Sequence, residues 1–274
     1  MTKQLGLPGT EGAPRRAGSN AAGHGGKRPG AGRKRTLPGR VRGKHRTRPF
    51  HDRRLPVHVV LRVTQQVGRL RRPKAYAAIR AAMIATVGTP GFRVVHLSIQ
   101  RHHIHLLCEA DDRTRLANGV RALCISAARR LNRAVTIAAS TPRAGTPRTH
   151  APRTSGTRRA AGAPRTGRVF TDRYHATAIA TPRQARHALA YVLNNWRRHR
   201  EDHAALGERR ALVDRYSTGI AFGGWAERDG VPFAWPRGFE PMPIAAPTTW
   251  LMKGGWKRGG APPSLWERPG PLEG

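Results

Sequence analysis

Between Pro56 and His199 the hydrophobic positions alternate between two periods. Val57-His58-Val59-Val60-Leu61-Arg62-Val63 is short and rich in β-branched residues, and reads as a strand. From Pro73 to Val87 the apolar residues Tyr76, Ile79, Met83, Ile84 and Val87 recur every three or four places. That is a helix with proline near its first turn, ended by Gly88 and by Pro90 next to Gly91. Phe92 to Ile99 returns to period two, with Val95, Leu97 and Ile99 alternating against His96 and Ser98. Gln100 to His102 forms a turn, and Ile104 to Ala110 is the next strand, antiparallel to the one before.

A longer amphipathic helix covers Arg113 to Val135, with Leu116, Val120, Leu123, Ala127 and Leu131 as its stripe and arginines off it. Residues 138–167 hold no acidic and no large apolar residue, and read as a flexible insertion. Structure resumes at Arg168-Val169-Phe170 and a strand-like Ala176-Thr177-Ala178-Ile179. Thr181-Pro182-Arg183-Gln184 combines a capping threonine, proline at the first helical position and glutamine three residues after the cap. The helix it opens reaches about His199, with Ala185, Leu189, Val192, Leu193 and Trp196 as its apolar stripe. The order is β–α–β–β–α–insertion–β–α. It predicts an α+β fold: an antiparallel-rich, ferredoxin-like (RRM-like) sheet with helices on one face, its first two strands parallel in direction.

Charge changes the picture outside that core. The 274 residues contain 51 Lys and Arg against 15 Asp and Glu, a net charge of +36. A polyanion is the partner this implies, nucleic acid before an anionic membrane. With 31 Gly and 22 Pro, part of the chain is expected to be disordered. That part is first of all residues 1–50, a basic tail in which Lys27, Arg28, Arg33, Lys34 and Arg35 are candidate phosphate contacts. The plainer alternative is a solvated tail that binds nucleic acid nonspecifically. The domain itself spans 51–203, and 204–274 is a Gly/Pro/Trp-rich extension. Its tryptophans are expected to anchor it to the core; a base-stacking platform is the other reading.

No stretch is apolar enough to span a membrane, no apolar leader opens the chain, and Cys108 and Cys124 suggest neither a disulfide framework nor a zinc site. A cytoplasmic, reducing setting is the simplest expectation.

Candidate chemistry sits in two places. His103 and His105 are two apart on a strand, so both imidazoles project from one face, as a divalent metal site requires. The plain alternative is two solvent-facing histidines. On the last helix Tyr191 and Asn195 are four apart and share a face, largely separate from the apolar stripe. A tyrosine can attack phosphorus, and an amide oxygen one turn on can complete a metal site; otherwise Tyr191 is an ordinary helix tyrosine at the core edge. Carboxylates are too scarce for a two-metal nuclease. Arg129, Arg130 and Arg173 are further candidate nucleic-acid contacts.

The stretch Phe92–Gln100 followed by His103-Ile104-His105-Leu106-Leu107-Cys108-Glu109-Ala110 resembles the HUH block of single-tyrosine transposases, and among them the REP-associated tyrosine transposases of bacteria (IS200-like). Val169–Ala176 is similar to the strand before their catalytic helix, and Ala190-Tyr191-Val192-Leu193-Asn194-Asn195 to the segment that carries their nucleophile. The resemblance covers roughly 50–203, and the insertion is its main departure. It implies an HUH domain that cuts and rejoins single-stranded DNA at hairpins. Tyr191 would form a 5′-phosphotyrosine link, with Mg²⁺ or Mn²⁺ on His103, His105 and Asn195. It also implies a homodimer. Tyr174 is the alternative nucleophile, and the alternative function is a hairpin DNA- or RNA-binding protein of the same fold that no longer cleaves.

Overall fold

The computed structural model describes residues 52–134, 165–171, 173–203, 211–227 and 238–270. The tail lysines and arginines at 27–35, most of the insertion, Asp172 and Trp235 lie outside these ranges.

Four strands, β1 (Val57–Arg62), β2 (Phe92–Ile99), β3 (His103–Ala110) and β4 (His175–Ala178), form one sheet in the order β2-β3-β1-β4. Every neighbouring pair is antiparallel. With α1 (Pro73–Ile84) between β1 and β2, and α2 (Arg113–Ala134) between β3 and β4, this is the β-α-β-β-α-β ferredoxin-like arrangement. β1 and β2 do run in the same direction, since each is antiparallel to β3, but β3 lies between them.

The pleat divides the side chains. Val57, Val59 and Leu61 of β1 and Ile104, Leu106 and Cys108 of β3 turn to one face, where α1 and α2 cover them. The α2 stripe is buried as expected. Gly119 on that helix lets it approach the sheet: a Cβ there would lie 2.1 Å from the Phe92 ring. α1 ends earlier than its apolar spacing suggests. The Thr86 hydroxyl donates back to the carbonyls of Ala82 and Met83, and Ile84 and Val87 are left exposed.

The last helix, α3 (Pro182–Arg198), corrects the expectation that the helices share one face. It packs on the opposite side, against Leu107. β3 is apolar on both faces at its middle, so the sheet needs cover on both. Thr181 and Gln184 form the reciprocal capping box read from the sequence.

α3 is also buried on its outer side, by the C-terminal residues. Trp225, Leu251, Met252, Trp256 and Leu265 join Leu189, Val192 and Leu193 in a second core. Asn194 Nδ2 donates to the Ser264 carbonyl, Arg197 Nε to that of Leu265, and Arg186 pairs bidentately with Glu267 at 2.5 and 2.8 Å. The free edge of β2 is covered as well: Ile99 and Thr218 donate to the Tyr216 and Leu97 carbonyls, and Ala245 to that of Val94. Two of the described tryptophans, Trp225 and Trp256, are thus anchors; Trp250 and Trp266 are exposed.

Two buried polar contacts fix this wrapping. Arg71 makes a bidentate pair with Asp214 (2.8 and 2.8 Å) and sits 4.5 Å from the centroid of the Tyr216 ring. Glu109, buried on β3, accepts four hydrogen bonds, from the backbone and hydroxyl of both Thr248 and Thr249. Thr249 caps the short helix α4 (Trp250–Lys253). Among the described residues no helix is long and apolar enough to cross a membrane, and both Cys108 and Cys124 are free thiols.

Candidate active site

The face of the sheet under α3 carries the histidines. Along β3 it presents His103, His105, Leu107 and Glu109 in turn, which is the parity expected for the paired imidazoles. In the antiparallel register Arg62 of β1 lies opposite His103, Val60 opposite His105 and His58 opposite Leu107. His58 therefore stands diagonally beside His105 on the same face.

These two rings meet directly. His58 Nε2 is 2.9 Å from His105 Nδ1, with ring planes 13° apart and centroids 5.1 Å apart. A nitrogen–nitrogen separation of 2.9 Å is shorter than a stacking distance, so the rings meet edge to edge in an N–H···N hydrogen bond, not face to face. One nitrogen donates and the other accepts, which commits both rings to defined tautomers. His105 Nε2 is then left buried with no hydrogen-bond partner.

α3 lowers Tyr191 onto this pair. Its ring centroid lies 5.3 Å from that of His105 and 5.9 Å from that of His58, both edge-on. His103 lies 4.6 Å from His105 and 5.7 Å from His199, again centroid to centroid. The Arg198 guanidinium is 5.9 Å from the Tyr191 ring centroid. The sequence-derived pair of histidines and the tyrosine thus come together within a single chain.

They line one cleft of 840 Å³, which also contains Arg62, His175, Thr177, Arg183, His187 and Arg198 and, among the described residues, has no carboxylate in its wall. The electrostatics follow from that. Burial, with His175 and His103 nearby, lowers the His58 pKa to about 4. Burial, then His199 and Arg62, lowers that of His103 to about 4, and burial puts His105 well below its ordinary value. At neutral pH these imidazoles are uncharged, the form that binds metals and accepts protons, while the arginines keep the cleft positive.

Asn195 differs from its expected setting. It lies one turn beyond Tyr191 but is fully buried, where the sequence reading left it on an open face. Neither atom of its amide has a hydrogen-bond partner. It is not among the residues lining the cleft. Among the described residues no group of three or more His, Cys, Asp or Glu is disposed to hold a metal ion. The donor types present, two neutral imidazoles and an unpartnered buried amide, still suit a single divalent ion.

Arg129 and Arg130 sit on α2, on the other side of the sheet from the histidines, with Arg130 donating to Ser126 Oγ at 2.6 Å. Arg173 is exposed just before β4. Tyr174 packs against the α1/α2 core rather than lining the cleft. His58, His175 and His199 were not singled out from the sequence. The period-two parity of β1 marks His58 as facing with Val60 and Arg62, but its partner is visible only once β1 is known to pair with β3.

No model of a known protein family matches the chain, and no curated protein is significantly similar to it. Among solved structures one match is a REP-associated tyrosine transposase bound to a REP hairpin. It has 11% sequence identity and a TM-score of 0.40, and the alignment covers 57% of this chain and 74% of that one. At that distance the chemistry of the cleft has to be read from its own side chains.

Proposed function

We propose that the chain is a single-strand DNA endonuclease and strand transferase that uses Tyr191 as its nucleophile, acting beside hairpins in the manner of a transposase. The observation that carries this reading is the placement of the Tyr191 ring against His105 and His58 in a cleft lined by histidines and arginines.

In the proposed reaction the Tyr191 hydroxyl oxygen attacks the scissile phosphorus. The bond between phosphorus and the 3′ oxygen breaks, leaving a 5′-phosphotyrosine, while the phenol proton is lost and the leaving 3′ oxygen gains one. Attack by another 3′ hydroxyl reverses the step and rejoins the strand, so the bond energy is conserved in the protein link. With His105 Nε2 turned to a metal, its Nδ1–H donates to His58 Nε2 and the His58 proton sits on Nδ1, so the phenol proton passes to solvent in the open cleft. Arg62 and Arg198 face the phosphate charge and orient the strand. His103, His105 and Asn195 are the groups that would hold Mg²⁺ or Mn²⁺, which when bound supplies positive charge to polarise the phosphate. The homodimer implied by the family resemblance is part of the same proposal; the single-chain placement of Tyr191 favours an active site complete within one subunit.

The test is incubation with labelled hairpin DNA carrying single-stranded flanks and Mn²⁺, followed by denaturing electrophoresis. A covalent adduct that disappears in Tyr191→Phe and in His105→Ala is expected. Salt-sensitive hairpin binding with no adduct would leave the non-cleaving binding protein as the function. An adduct that persists in Tyr191→Phe would move the nucleophile elsewhere.

A further inference from the structure

A second cleft, of 610 Å³, opens next to the first and plays no part in the chemistry above. Arg53, Arg54, Arg93, Asp111, Thr248 and Trp250 are among its lining residues. Trp250 is 55% exposed, although the chain buries Trp225 and Trp256. Its ring is held in place nonetheless. A Cβ added to Gly255 would lie 2.7 Å from it, so the ring rests against that backbone, and the helix that carries it is pinned to β3 by the four bonds to Glu109.

The charge around the ring is positive. Among the described residues neither Arg53 nor Arg54 is paired with a carboxylate, and Arg258 lies 5.6 Å from the Trp250 ring centroid. Arg93 donates to the Thr248 hydroxyl at 2.9 Å, so its head is fixed at the wall. Among the described residues Asp111 is the one carboxylate lining the cleft. Arg93 also has Glu109 at 4.0 Å, so the positive charge open to a ligand is that of Arg53 and Arg54, and a rigid, exposed indole beside them fits a planar ring carried on a polyanion better than it fits an apolar protein surface.

The two clefts are neighbours. Ala180 lines this one, and Ile179 and Thr181 line the histidine cleft, so they flank the connector between β4 and α3. We propose that the Trp250 cleft is a nucleotide subsite: the indole stacks on an unpaired base of the DNA strand whose scissile phosphate lies at Tyr191, and Arg53 and Arg54 hold the adjoining phosphates. This rests on the single-strand DNA reading given above. Recognition here is tolerant of sequence, since every base offers a ring face; the subsite selects for an unpaired flank, not for a particular letter.

The experiment compares binding of one hairpin with and without a short single-stranded flank, by fluorescence anisotropy on the full chain. Trp250→Ala is expected to weaken the flanked hairpin on the order of 5- to 100-fold and to leave the blunt one unchanged. Trp250→Phe, which keeps a stacking face, should recover most of that affinity. Arg53→Gln with Arg54→Gln should flatten the salt dependence of flanked binding, by roughly 0.7 in the log–log slope for each phosphate no longer neutralised. Equal affinities of Trp250→Ala and the parent for the flanked hairpin would overturn the proposal, as would equal weakening on both hairpins. The adduct assay separates the two readings. An adduct with no effect of Trp250→Ala removes the subsite alone. A flank effect with no adduct keeps the subsite on a protein that binds and does not cut.

Discussion

Glu109→Gln is the sharpest perturbation of the scaffold, because the change is isosteric and its cost can be worked from hydrogen bonds. The carboxylate receives Thr248 N at 2.7 Å and Thr248 Oγ1 at 2.6 Å on one oxygen, and Thr249 N at 3.0 Å and Thr249 Oγ1 at 2.7 Å on the other. An amide keeps one acceptor oxygen and turns an NH₂ towards the other threonine. That threonine's hydroxyl can rotate to accept, but its backbone N–H cannot, and is left facing a donor. Leaving that buried N–H unsatisfied costs about 1–3 kcal/mol, and the remaining bonds no longer have the charge assistance of the carboxylate. The total is about 3 kcal/mol, or roughly 6–12 °C in melting temperature for a folded unit of this size. Urea titration and a thermal melt measure it. Hydrogen exchange should quicken first at Trp250–Lys253, and less at His103–His105. A variant within about 0.5 kcal/mol of the parent, the range of an ordinary surface substitution, would refute the idea that this carboxylate fastens the C-terminal segment to the sheet.

Other expectations follow from the same structure. His96 is buried against the Thr218 hydroxyl and the Phe222 ring, and burial lowers its pKa to about 4. The unfolded chain binds that proton more readily, so the stability is complete above about pH 6.5 and declines as pH falls towards 4. The decline is about 2 kcal/mol at about pH 5 for this group, and His96→Gln should flatten that part of the stability profile in urea titrations. Asp214→Asn removes the bidentate partner of buried Arg71 and leaves it the longer contact to Glu201 at 3.7 Å, and should cost about 1.5–3 kcal/mol by the same assay, more than a surface pair would give. His58→Leu deprives His105 Nδ1 of its partner and should weaken Mn²⁺ binding to the protein, read by calorimetry, on the order of 10- to 100-fold, while His58→Gln recovers part of it.

The elements were legible where one periodicity ran unbroken. The α2 stripe, the capping box at Thr181 and Gln184 and the parity of His103 and His105 are local properties, set within a few residues, and the structure reproduces them. Three features depended on partners far away in the chain. The side of the sheet that α3 covers is set by Leu107, whose neighbours in sequence are equally apolar, so local pattern does not choose between faces. Ile84 and Val87 continue the apolar spacing of α1 but stay largely in solvent, since the chain turns away at Thr86. Asn195 reads as polar and open on a helical wheel yet is fully buried, and the later residues that cover α3, from Trp225 to Leu265, carry too little periodicity to be placed from sequence. The same weakness concealed the split among the tryptophans, of which two fill the second core and two stay outside.

The covering of α3 by the C-terminal residues also orders events in time. A ribosome delivers the strands, both histidines and Tyr191 well before it delivers Trp256 and Leu265, which seal the outer side of the tyrosine helix. While those residues are still inside the exit tunnel, Leu189 and Val192 have cover on one side only, and the helix has the sheet alone to lean on. Maturation of the cleft is therefore a late step in synthesis: a growing chain that stops short of Leu265 already holds Tyr191 but has not yet fixed the helix that carries it.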